Sequence, residues 1–184
     1  MSILLPLYIY PGAGAWDPLY TAYVPFPPTK NLPNPPSSAT AHPDVDFTVV
    51  INPCSGPCRG SRPDQVYLNE IPKLKSYENI RTLGYVATNY THKVIDDVLA
   101  DINTWAVWPN MYNNTKLKMD GVFLDETPSV YDPAAYKYLE KARNAVRNGT
   151  RFKDRFVGVY NPLSLLMTLQ CCISHQCAEI SFWV

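Results

Sequence analysis

Short apolar runs alternate with longer stretches of helical spacing along this chain. Residues 3–10, ILLPLYIY, form a continuous apolar run that stops at Pro11-Gly12, as strands of a parallel sheet do when both faces are buried. Phe47, Thr48, Val49, Val50 and Ile51 make a β-branched run that stops at Asn52-Pro53, a second strand. A third strand is expected over 81–87, leading into Thr88-Asn89-Tyr90. A fourth is expected over 119–126 (MDGVFLDE), and a fifth over 155–160, ending at Asn161-Pro162. Between them lie helical patterns. After Pro63, Val66, Leu68, Ile71 and Leu74 fall on neighbouring faces, with Pro72 expected to bend or break the helix. Val94, Ile95, Val98, Leu99 and Ile102 predict a helix over about 91–105. Asp132-Pro133 reads as an N-cap followed by proline at the first helical position, and Asn148-Gly149 as the end of that helix. Residues 16–23 read as a weak helical turn. Residues 25–44 hold seven prolines and little periodicity, so a surface insertion is expected there.

Strand starts near 3, 47, 80, 119 and 155, with helices between, predict a parallel sheet with right-handed crossovers. An open doubly wound sheet and a closed barrel both fit that alternation. Pro11-Gly12-Ala13-Gly14-Ala15 lacks the final glycine of a phosphate loop. Three strands end in polar or ring-bearing residues (Asn52; Thr88 and Tyr90; Asp125 and Glu126), as in barrels whose sites gather at strand carboxyl ends. The fold class expected is α/β: a partial (β/α)8 TIM-type barrel of about five βα units with an aberrant C-terminal tail.

Composition narrows the function. The 16 Lys and Arg balance 16 Asp and Glu, which argues against a nucleic-acid or anionic-membrane partner, since either usually needs a basic excess. No apolar run approaches the roughly 18 residues of a membrane span. The 13 tyrosines suit a groove that stacks sugar rings, and equally a tyrosine-rich core. The N-terminal MSILLPLYIYPG has no basic region and is broken by Pro6 and tyrosines, so it reads as a strand and not as a signal peptide.

Five cysteines leave an odd one. Cys54 and Cys58, in CSGPC, are placed to close a small loop, while Cys171, Cys172 and Cys177 crowd the C-terminus. With His42, His92 and His175 they do not give zinc-ligand spacing, and neither a metal nor a cofactor is expected. Three glycosylation sequons (Asn89-Tyr90-Thr91, Asn113-Asn114-Thr115 and Asn148-Gly149-Thr150) fall near expected loops and lean towards an extracellular protein.

Four blocks in order, YIYPGAGAWDPLY (8–20), VVINPCSGP (49–57), LGYVATNY (83–90) and DGVFLDETP (120–128), resemble the spherulin-4 family, also called spherulation-specific family 4. The resemblance covers about residues 3–162. It implies a (β/α) barrel related to glycoside hydrolases, with secreted endo-α-1,4-N-acetylgalactosaminidase activity on galactosaminogalactan and an amino-sugar polysaccharide as partner; a monomer is expected. The family pattern continues after the fifth strand with NPG, three further βα units and another catalytic glutamate on a late strand. Here Pro162 is followed by Leu163, and residues 163–184 match nothing in that pattern. Residues 1–162 are accordingly read as the N-terminal part of a barrel and 163–184 as a non-homologous tail. Glu179 receives no role.

Cleaving a glycosidic bond usually needs two carboxyl groups flanking it. Asp125 and Glu126 close the fourth strand. On a regular strand only one would face inward, but both can reach the mouth where the chain leaves the pleat. With the resemblance, Glu126 is read as general acid and Asp125 as the second carboxylate, stabilising the oxocarbenium-like state or orienting an N-acetyl group; the reverse assignment and a loop-capping pair are the alternatives. Tyr8, Tyr10, Asn52, Tyr85, Thr88 and Tyr90 are the candidate sugar contacts, since rings offer flat faces and Asn both donates and accepts. Against that, Tyr8 fits a core position and Asn52 a turn. Trp16 is expected under the first loop. Asp120 is expected to be structural, and Lys137, Glu140, Lys141, Arg143 and Arg147 a solvated helix face. A non-catalytic carbohydrate-binding or wall-associated protein and an inactive truncated product compete with the enzyme reading.

Overall fold

The computed structural model describes residues 2–17, 19–20, 45–149 and 151–159. The proline-rich insertion, half of the expected turn over 16–23, Tyr160 and the tail lie outside them. The strands are β1 (Ser2–Leu7), β2 (Asp46–Ile51), β3 (Ile80–Ala87), β4 (Gly121–Asp125) and β5 (Phe156–Val159). The helices are α1 (Gln65–Leu74), α2 (Ile95–Met111) and α3 (Pro133–Asn148).

All four pairings are parallel, in the order β1-β2-β3-β4-β5. This order decides between the two architectures left open by the alternation. A doubly wound sheet reverses its order at a switch point and carries helices on both faces. Here the order never reverses, so right-handed crossovers lay every helix on the same face. The packing agrees. Val49, Ile51, Val86, Val122, Leu124 and Val157 share a core with Leu68 and Ile71 of α1, Val98, Ile102, Trp105 and Trp108 of α2, and Ala142 and Val146 of α3. The opposite face carries a separate small cluster of Val50, Leu83, Tyr85 and Phe123, with Leu4, Ala87 and Phe156 against it. This is the inner wall of a barrel-type sheet. Pro6 lies in β1, an edge among the described strands, where a missing N–H is tolerated.

The boundaries differ from expectation where tertiary contacts intervene. β1 ends at Leu7 rather than at residue 10. α2 begins at Ile95 rather than near 91, because Asn89, Tyr90 and Thr91 all have positive φ (46°, 52° and 68°) and cannot join a right-handed helix. It continues past Trp105 because Trp105 and Trp108, both fully buried, stack with centroids 4.4 Å apart; burial outweighs the poor helical fit of Pro109. Pro72 falls in the last turn of α1, which ends two residues later. Asp132 caps α3, Oδ1 accepting from the Ala135 N–H at 2.7 Å. The charges of α3 are not uniformly solvated: Lys137 and Lys141 are exposed, but Glu140, Arg143 and Arg147 are half-buried, with Arg143 Nε buried and without a hydrogen-bond partner.

Gly84 shows how tightly the outer layer packs. A Cβ there would lie 2.5 Å from the Trp105 ring. At the amino-terminal end of the sheet, Asp120 is 1% exposed and bonded on all sides. Lys75 Nζ donates at 2.9 and 3.0 Å, Thr82 N at 2.7 Å and Thr82 Oγ1 at 3.0 Å. That is the structural role expected of it.

Candidate active site

Strand alternation settles the direction of the first carboxylate. Phe123 belongs to the inner cluster, so Asp125, two residues on, faces the same interior. The chain then leaves the pleat. Glu126 has φ 55°, a left-handed conformation that costs a non-glycine residue about 1–2 kcal/mol. The turn is clamped by Thr88. Its N–H donates to Asp125 O at 3.0 Å, and its hydroxyl donates to Asp125 O at 3.0 Å and Glu126 O at 2.8 Å. Tyr90 N adds a bond to Glu126 O at 2.6 Å.

The clamp leaves Asp125 surrounded by donors. Oδ1 accepts from Glu126 N at 2.8 Å and Oδ2 from the Tyr8 hydroxyl at 3.4 Å, and the Tyr85 phenol lies near enough for this carboxylate to raise its pKa. Tyr8 and Tyr85 meet edge to face, centroids 5.6 Å apart. Burial raises the pKa of both phenols, and the negative charges of Asp125 and Glu126 raise it further, so both remain neutral donors at physiological pH. Glu126 follows Asp125 directly and its charge is felt by both rings. Burial differs between the two acids: Asp125 is half-buried and Glu126 exposed. The arrangement is a fixed acceptor beside a solvent-reaching carboxyl, the pairing that acid-assisted bond cleavage requires.

The other candidate residues divide. Tyr8 (46% exposed), Tyr10 (50%) and Tyr90 (58%) present open rings, so Tyr8 is not a core residue. Tyr85 is buried with its hydroxyl towards Asp125. The Thr88 side chain is fully buried and committed to the clamp. Asn52 closes a turn through Oδ1, which accepts from Gly56 N at 2.9 Å, the turn role that competed with sugar contact. Trp16 lies under the first loop, Nε1 donating to Ile9 O at 2.9 Å.

One support went unread in the sequence, and a second was expected from it. Asp64 caps α1, accepting from Val66 N at 3.0 Å, and also accepts from the Tyr10 hydroxyl; its place after Pro63, at the start of a helical pattern, was the available signal. The Cys54–Cys58 disulfide closes the loop after β2. That loop is tied to α2 by Trp108 Nε1 on Pro57 O at 3.2 Å and by Arg59 on Asp97 at 2.8 Å and Asp101 at 3.5 Å. Among the described residues no group of three or more His, Cys, Asp or Glu is placed to hold a metal ion.

This mouth lies within a stretch, residues 2–166, that matches the profile of spherulation-specific family 4. The chain belongs to that family. Spherulin-4 of Physarum polycephalum is 34% identical over 136 residues, which is 74% of this chain and 32% of that protein. The crystal structure of Aspergillus clavatus Sph3 in complex with GalNAc superposes with a TM-score of 0.72 at 43% identity, covering 86% of this chain and 56% of that one. The chain therefore spans about a third of the one relative and a little over half of the other. The five parallel strands and their helices correspond to part of the Sph3 barrel.

Proposed function

We propose that the mouth around Asp125 and Glu126 binds an amino-sugar polysaccharide and cleaves it as a glycoside hydrolase of spherulin-4 type. The substrate class is an α-1,4-linked N-acetylgalactosamine polymer such as galactosaminogalactan. One observation carries the reading: Asp125, the immediate neighbour of Glu126, shares the inner side of the sheet with the phenols of Tyr8 and Tyr85. The GalNAc bound in the Sph3 crystal structure supports an amino sugar as ligand.

Glu126, exposed, is the general acid that protonates the leaving oxygen. Asp125, loaded with donors, is the fixed anion that stabilises positive charge on the sugar or orients its N-acetyl group. The open rings of Tyr8, Tyr10 and Tyr90 supply flat faces for sugars. The Cys54–Cys58 disulfide and the three sequons support an extracellular setting.

Reducing ends released from galactosaminogalactan test the reading. Glu126→Gln should lower the rate by at least about 100-fold, the contribution typical of a positioned acid. Equal rates in the two proteins would remove Glu126 from the mechanism. A second reading is carbohydrate binding without cleavage, through the open rings of Tyr8, Tyr10 and Tyr90. It requires calorimetric binding of GalNAc oligomers with no release of reducing ends.

A further inference from the structure

We propose that Asn113 carries an N-linked glycan, at the end of the sheet opposite the mouth. This sequon combines an exposed acceptor, an exposed hydroxyl partner and a location that leaves the mouth open. Asn113 and Thr115 are both exposed. Asn113 lies just beyond the C-cap of α2, in a turn with φ 48°. Asn114 Oδ1 accepts from Lys116 N at 3.0 Å, starting a short 3₁₀ turn. A bulky, hydrated substituent is accommodated at such a surface turn without repacking. Beside it lies an open cleft of about 440 Å³ whose lining includes Arg62, Gln65, Asn69 and Tyr112, with exposed Met111 at its rim. The cleft leaves room for the first sugar, with amide and guanidinium groups to meet its hydroxyls.

Topology separates this sequon from the one at Asn89. α2 starts a few residues beyond the Thr88 clamp and runs 17 residues to Met111, a rise of about 25 Å. The chain then enters β4 beside the Lys75–Asp120 pair. Asn113 thus stands about one helix length from Glu126, whereas Asn89 adjoins Tyr90, whose N–H is bonded to Glu126 O; a glycan there would crowd the mouth. The hydroxyl of the third sequon, Thr150, lies outside the described residues.

The chemistry is group transfer without redox change. Asn113 Nδ2 attacks the anomeric carbon of a polyisoprenyl-diphosphate oligosaccharide. The new C1–N bond forms as the C1–O bond to phosphate breaks. Polyisoprenyl diphosphate leaves, and the amide proton passes to the transferase's base. The inference is independent of the glycosidase reading, because the modification is read on the chain itself.

The full chain, behind a cleavable secretion leader, is translated with endoplasmic-reticulum microsomes, and the protease-protected fraction is treated with peptide N-glycosidase in ¹⁸O water. Residue 113 should be recovered as ¹⁸O-labelled Asp. N113Q and T115A should each remove one mobility step that N89Q retains. Because T115A keeps the acceptor amide, the two variants together tie the step to the sequon, and neither readout needs a folded product. Protected chain with an unlabelled Asn113, or a step that survives both N113Q and T115A, overturns the proposal.

Discussion

The hydroxyl of Tyr8 donates to Asp125 Oδ2 at 3.4 Å across 117 residues of sequence. The contact joins the end of the first strand to the end of the fourth, across the inner face. The Tyr8 ring also packs edge to face on Tyr85, so hydroxyl and ring are separable. Tyr8→Phe should keep the packing and lose one long hydrogen bond to a carboxylate, worth about 1 kcal/mol. The expected result is a drop of roughly fivefold in kcat/KM on the glycan, with Tm moved by less than about 2 °C. A large fall in Tm would show that the hydroxyl holds the sheet together instead of the site.

Glu126 sits in a left-handed conformation that glycine adopts without cost. Glu126→Gly should therefore raise the unfolding free energy by up to about 1 kcal/mol, once the greater freedom of glycine in the unfolded chain is counted. The same variant should be inactive. Urea unfolding beside the reducing-end assay checks both halves; a variant less stable than the parent would mean that the side chain, and not the backbone, dominates there.

Lys75 and Asp120 form a pair with side chains 13% and 2% exposed. Lys75→Met leaves a buried carboxylate without its nearest cation, and stability should fall by about 3 kcal/mol. Adding Asp120→Asn should recover part of the loss, because the uncompensated charge is gone while Thr82 keeps a partner. The denaturant midpoints of the single and double variants measure this directly.

Acid should destabilise the fold through two carboxylates. Asp64 has its pKa lowered below 3.8 by the Val66 N–H and the Tyr10 hydroxyl. Burial pushes Glu70 upward, but Lys73 and the Tyr20 hydroxyl outweigh it and hold it below 4.5. A carboxylate with a depressed native pKa contributes stability above its unfolded value and loses it as pH falls through the native one, since the unfolded chain then binds more protons. Urea midpoints should therefore be flat from pH 7 to about 5 and fall below about 4.5. Glu70→Gln should make that fall shallower; an unchanged slope would assign the acid sensitivity elsewhere.

Local pattern determined the alternation of strands and helices, because apolar periods of two and 3.6 are written in neighbouring residues. It also determined the start of α3 at Asp132-Pro133, the disulfide spacing of Cys54 and Cys58, and the acidic couple at the end of a strand. Tertiary structure decided the rest. That the sheet is singly wound follows from which strands pair, and that Asp125 meets Tyr8 follows from register between residues 117 positions apart. The left-handed turn at Glu126 is held by Thr88, just beyond a different strand, which grips its carbonyl. Asn52 and Thr88 read alike as polar strand-end residues, yet one closes its own loop on Gly56 and the other spends its hydroxyl on the backbone after a neighbouring strand. Sequence spacing fixes a residue's face on its own element, but the partner that satisfies a polar group comes from whichever element the fold brings opposite.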